Sequence, residues 1–197
     1  PGVAIAIAYA GLFRMGELTA TESRPFDAVV DLAEKDVQFL PTFGGANRAI
    51  IQIGISKADR QGKKSKLRPR ILPVYPGSPG FRLRAMLARR LRVTEGTSPL
   101  MRAQPLFQAR NGKQLARDTV LRFARAAMAA AGFSKEQQNA YGTHSARIGG
   151  ATRLFQLGAT SDILKRMGGW SSDAYKEYIR TQQQDTMVFA RRMCTEA

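Results

Sequence analysis

Apolar residues run almost without a break from Pro1 to Phe13, and Arg14, the first charge in the chain, follows them. A stretch that is apolar on all sides suits a helix buried on all sides. A secretory signal places its positive charge ahead of the apolar run; here the order is reversed, so the segment is expected to be a buried helix at the start of a fragment. Ala20 to Asp31 is mixed and carries Pro25. Asp36 to Leu40 then alternates polar with apolar, as a half-buried strand does, and a turn follows at Pro41 to Asn47. The β-branched run Arg48–Ile55 and the run Leu67–Tyr75 predict two further strands that pair as a hairpin. Within their connection the segment Arg60–Lys66 holds Arg60, Lys63, Lys64 and Lys66 with no acid, and Arg68 and Arg70 extend that charge into the next strand.

Helical spacing resumes at Ser78–Arg92, where Phe81, Met86, Leu87 and Leu91 form the apolar side and arginines at 82, 84, 89, 90 and 92 a basic one. Leu106-Phe107 reads as a buried anchor ahead of a turn at Asn111-Gly112, and Asp118 as the cap of an alanine-rich helix ending at Gly132. Thr143 is placed to cap a helix running to Leu157, which Gly158 stops. Two short helices flank Gly168-Gly169-Trp170, the second from Ser172 to about Arg180, and a tail helix covers Gln184–Met193. No internal repeat appears. The expected architecture is mainly α with a small antiparallel β-sheet, an α+β domain over residues 1–182 followed by a tail helix in 183–197.

Composition adds the partner. Thirty-one lysines and arginines against 15 acids give a net charge of +16 over 197 residues, which points to a polyanion. The single cysteine, Cys194, excludes an intrachain disulfide and a multi-cysteine metal site. No apolar stretch reaches the roughly 18 residues that span a bilayer, so the expected polyanion is nucleic acid and no membrane partner is expected.

The chemistry-bearing residues cluster late in the chain. His144, the only histidine, precedes Arg147 by three residues, a spacing that shares a helix face. Twenty-three residues after Arg147 stands Trp170, the only tryptophan, and eight further on Tyr178 lies within Tyr178-Ile179-Arg180. This series resembles the tyrosine recombinases, or phage-integrase-like site-specific recombinases, and is most similar to the Cre branch and to recombinases of DIRS-type retrotransposons. The resemblance is specific over residues 143–180. Upstream it is looser: Arg14 with Glu17 matches the family's first arginine and its acid, and the hairpin after Ile55 matches the place of its lysine. It covers nearly the whole chain as a catalytic domain without the family's amino-terminal DNA-clamp domain.

The resemblance implies a site of Arg14, Lys57, His144, Arg147, Trp170 and Tyr178, with Glu17 in support. Arg14 and Arg147 would bind the non-bridging oxygens of a phosphodiester. His144 would contact the phosphate or manage the nucleophile's proton. Trp170 would take the place of a second histidine, as a donor that cannot act as a base. Lys57 would protonate the departing 5′ oxygen, and Tyr178 would attack; Tyr175, three residues earlier, is the alternative nucleophile. Lys63, Lys64, Lys66 and Arg68 are expected to contact DNA phosphates. Neither metal nor cofactor is called for. Double-stranded DNA and further copies of the chain assembled on it are the expected partners, in a compartment that holds DNA, with the tail docking in trans on a neighbouring copy or, alternatively, in cis. Two other readings remain: a recombinase-derived domain that binds DNA without cutting it, and a relative of type IB topoisomerases.

Overall fold

The structure, a computed structural model, describes residues 1–20, 25–41, 47–53, 69–93 and 103–180. In chain order the elements are α1 (Gly2–Ala10), α2 (Met15–Leu18), β1 (Val37–Leu40), β2 (Asn47–Ile51), β3 (Arg70–Val74), α3 (Pro79–Val93), α4 (Arg117–Ala130), α5 (Lys135–Ala140), α6 (Ser145–Gln156) and α7 (Ser161–Gly168). Short 3-10 segments cover Glu34–Asp36 and Asp173–Tyr178.

The apolar first run forms α1, which packs against α6, α3 and α4 and buries Ala4, Ile7 and Ala8 completely. The three strands pair antiparallel in the order β1-β2-β3, with Ala49 opposite both Phe39 and Leu72. The two-residue strand period turns Ala49, Ile51, Leu72 and Val74 into the core and leaves Ile71 and Tyr75 exposed. Helix α3 covers β3, and Leu83, which the expected apolar stripe omitted, is fully buried. Leu106 and Phe107 are buried as expected. A second, smaller apolar cluster joins Leu12, Ala151, Leu164, Trp170 and Tyr175. Among the described residues no helix is long and apolar enough to cross a membrane.

Several boundaries differ from expectation. Helix α4 is capped by Ala116 rather than Asp118. Ala20 donates to Leu115 O (3.1 Å) and Arg117 N to Ala20 O (3.2 Å), so the chain is held extended up to residue 116, and Asp118 falls in the first turn, where its charge meets the positive end of the helix dipole. Thr143 does not cap α6: Gly142 N donates to Ser145 Oγ (2.9 Å), closing a turn that makes His144 the cap residue. Helix α5 was not anticipated, although Ser134 and Gln137 form a reciprocal capping pair legible as Ser-x-x-Gln. The segment after Trp170 is a 3-10 helix ending at Tyr178, not an α-helix reaching Arg180. Arg90 leaves the basic face of α3: buried Glu34 requires a cation, and Arg90 supplies it at 2.8 Å while also donating to Leu106 O. The connection carrying Lys57, Lys63, Lys64, Lys66 and Arg68, and the tail from residue 183, lie outside the described residues.

Candidate active site

Arg147 lies on the inner face of α6 and is fully buried. A buried guanidinium must find acceptors. Its Nη1 donates to Leu12 O in a short contact, and its Nη2 donates to Gly168 O at 2.9 Å. Both acceptors are unusual backbone positions. Leu12 is held at φ 52, a left-handed conformation that costs a side-chain-bearing residue about 1–2 kcal/mol. Gly168 is the last residue of α7, where the helix presents its negative end. Burial, and after it the nearby charge of Arg14, lower the Arg147 pKa to about 10, which leaves the group cationic at neutral pH.

Arg14 enters from the turn after α1. As the cap residue of α2 its backbone N donates to Glu17 Oε2 (2.8 Å), and its Nη1 donates to Glu17 Oε1 (3.1 Å). Glu17 is nearly buried and Arg14 about a quarter exposed, so the carboxylate orients the arginine from behind while the guanidinium keeps an open side. Glu17 also partly offsets the repulsion that Arg14 exerts on Arg147.

The Gly168-Gly169-Trp170 turn brings the indole onto this cation. A Cβ at residue 168 would stand 1.7 Å from Trp170 Cζ3, so only glycine lets the ring fold back over the helix end, and Gly169 adopts φ +68 to make the turn. The indole centroid then lies 4.2 Å from the Arg147 guanidinium carbon, and that of Tyr178 at 5.1 Å. Trp170 Nε1–H and Arg147 Nε–H are both buried and have no acceptor among the described residues. Buried donors without acceptors are costly, and these two belong to side chains that lie against each other.

Tyr178 closes the cluster. Its ring centroid is 5.1 Å from that of Trp170 and 6.4 Å from that of His144, which is exposed. The Thr152 hydroxyl donates to Tyr178 O (3.2 Å) and accepts from Arg180 N (3.0 Å), fixing the end of the 3-10 helix on α6. Asp173 holds its start through Lys165 (2.6 Å) and Lys176 (2.9 Å), and these hydrogen bonds draw its pKa down to about 2. Tyr175 also packs on Trp170, at 6.3 Å between centroids, but it is buried and its hydroxyl donates to Ser161 Oγ at 2.9 Å.

The structure therefore gathers Arg14, Glu17, His144, Arg147, Trp170 and Tyr178 in one place. Sequence reasoning missed Arg70, which it treated as part of the basic hairpin. Arg70 is buried, donates to the same Gly168 O as Arg147 (2.8 Å) and lies 5.8 Å from the Phe13 ring centroid. The signal was available: Arg70 shares the inward strand register of Leu72 and Val74.

No protein-family model and no curated protein matches the sequence. Solved structures do match in fold. The XerH site-specific recombinase bound to palindromic difH substrate, a post-cleavage complex, aligns at TM-score 0.56 and 17% identity over 95% of this chain and 44% of its own. Its pre-cleavage complex gives TM-score 0.55, also at 17% identity, over 94% and 44%. A Tn1549 transposon integrase fragment with circular intermediate DNA gives 0.50 at 16% identity over 97% and 58%. The chain thus spans less than two thirds of each of these proteins. Its helices and three-stranded antiparallel sheet have the fold of a tyrosine recombinase catalytic domain.

Proposed function

We propose that the chain is the catalytic domain of a tyrosine site-specific recombinase, which cleaves and rejoins DNA through a 3′-phosphotyrosyl intermediate on Tyr178. The observation that carries this reading is the convergence of Arg147, Trp170 and Tyr178 around two buried donors that lack an acceptor. Arg14 and Arg147 stabilise the charge that grows on the non-bridging oxygens at the transition state, and the indole N–H adds a neutral donor. The Tyr178 oxygen forms a bond to phosphorus as the 5′ oxygen leaves. The tyrosine proton passes to His144 or to water, and the 5′ oxygen takes a proton from Lys57. Religation is the reverse, so the phosphoester conserves the bond energy. The interval of eight residues between Trp170 and Tyr178, where many relatives have nine, supports the DIRS-type side of this reading.

Arg147 is fully covered in the free protein, so DNA must uncover it. The Trp170 and Tyr178 rings both lie against it, and a shift of the Tyr178 segment would begin to open the cation while freeing the nucleophile. Self-association on DNA, with the tail docking in trans, belongs to the same proposal. The test is a nicked suicide substrate: a recombinase gives a protein–DNA adduct on a denaturing gel, whereas a domain that only binds DNA gives a mobility shift without adduct. Strand exchange between two duplexes separates the recombinase from a topoisomerase.

A further inference from the structure

We infer that Arg70 is a positioning residue for the proposed reaction: by sharing the Gly168 carbonyl with Arg147, it sets where Arg147 and the Trp170 turn meet the phosphate. The inference rests on the recombinase reading for its kinetic consequence, but its geometry stands on the free protein.

Arg70 opens β3 in a core-facing register, where the strand pattern calls for an apolar residue. An arginine there is desolvated and stands close to a second cation, and neither effect favours folding. Its contacts explain what the position gains. Both Arg70 Nη2 and Arg147 Nη2 donate to Gly168 O, at 2.8 and 2.9 Å. A carbonyl has two lone pairs, and the one at the end of α7 also carries the negative pole of the helix, so it accepts two guanidinium groups at once.

Arg70 touches the ends of both anchors that hold Arg147. One anchor is Gly168 itself. The other is Leu12 O, and the next residue along, Phe13, presents its ring to the Arg70 guanidinium. The fit at the turn is close: a Cβ at residue 169 would stand 2.5 Å from Arg70 Nη2, so Gly169 and Arg70 fill one space together. With Arg70 in place the Gly168 carbonyl is clamped from the sheet side, and Arg147 has one orientation in which both its acceptors are met. Without it, the helix end and the Trp170 turn lose their tie to β3, and Arg147 loses the neighbour that restricts its swing.

Arg70→Met keeps the aliphatic bulk and removes charge and donors, whereas Arg70→Lys restores a charged donor that reaches one carbonyl. Lys135→Met, on exposed α5, is the charge-matched control. Single-turnover cleavage of a nicked suicide substrate is measured at saturating protein, alongside DNA affinity, melting temperature and acrylamide quenching of Trp170. Misplacing a transition-state donor by about 1 Å costs up to about a hundredfold in rate. Arg70→Met is therefore expected to cleave about 10- to 100-fold more slowly at saturation with DNA affinity within about threefold, and Arg70→Lys to recover most of that rate. Trp170 should be quenched more strongly in Arg70→Met than in the wild type, the Lys135 control or Arg70→Lys.

A folded Arg70→Met that cleaves at the wild-type rate, or an Arg70→Lys as slow as Arg70→Met, overturns the inference. Should Arg70→Met fail to fold, Arg70→Lys decides: near-wild-type rate and quenching support the inference, and a hundredfold loss in a stable protein overturns it. If wild-type protein forms no adduct, the recombinase reading fails separately, and quenching alone judges Arg70: an unchanged Trp170 in Arg70→Met overturns the positioning role.

Discussion

Two adjacent glycines in α6 should respond to alanine in opposite directions. Gly150 is where α6 crosses α1: a Cβ there would stand 2.1 Å from Tyr9 O and 2.8 Å from Leu12 Cδ2. The first obstacle is backbone, so relief requires α1 to shift by about an ångström relative to α6. Overpacking of this kind costs about 3 kcal/mol at its upper range, and the better helix propensity of alanine returns about 1 kcal/mol. The net loss of about 2 kcal/mol corresponds to a melting temperature lower by about 4–8 °C for a domain of this size. A Cβ at Gly149 would instead meet the Tyr9 ring at 3.5 Å, an ordinary contact. Gly149→Ala should thus gain about 0.5–1 kcal/mol from backbone entropy, raising the melting temperature by about 1–4 °C. Scanning calorimetry of both variants gives the comparison. Because Leu12 O anchors Arg147, Gly150→Ala should also cleave DNA more slowly at temperatures where it remains folded. A Gly150→Ala protein that melts at or above the wild type, or a Gly149→Ala protein that loses as much, would refute the close-packed crossing.

Gly168→Ala should expel the Trp170 ring, since the added carbon would overlap it, shifting tryptophan emission to the red and abolishing adduct formation; unchanged emission would contradict the turn geometry. Asp173 links the Tyr178 segment to α7, and its pKa near 2 lies below the ordinary 3.8, so its contribution to stability is present above about pH 4 and is lost as pH falls through about 2. The difference in urea midpoint between the wild type and Asp173→Asn should accordingly shrink as pH falls from about 5 to 2. A difference that persists at pH 2 would show that the ion pairs do not hold the segment.

The parts of the fold written in local periodicity were legible in advance. The all-apolar run of α1, the alternation at Val37–Leu40 and the hairpin strands follow from side-chain spacing alone. Helix starts were less so, because at Ala116 and His144 a bridge to Ala20 and a Gly142–Ser145 turn set the boundary, and neither is a feature of the nearest capping residue. The candidate site was legible as an ordered series of residue types, from Arg14 to Tyr178. Arg70 and Arg90 were hidden because charge in a sequence reads as solvated surface; only the strand register of one and the buried partner Glu34 of the other reveal that they face inward. In the sequence the Tyr-Ile-Arg context favours Tyr178 over Tyr175; in the 3-10 helix the two residues share a face and both rings pack on Trp170, but the Tyr175 hydroxyl is engaged by Ser161 while the Tyr178 ring lies by Arg147.

The central claim is that the Tyr178 oxygen attacks the DNA backbone, and mapping the covalent adduct tests it most directly. Wild-type protein is trapped on a nicked suicide substrate, digested with nuclease and protease, and the peptide bearing the residual nucleotide is sequenced by mass spectrometry. The account predicts the modification on Tyr178, its loss in Tyr178→Phe with DNA affinity kept within a few-fold, and its persistence in Tyr175→Phe. An adduct on Tyr175, or an adduct that survives Tyr178→Phe, would contradict it.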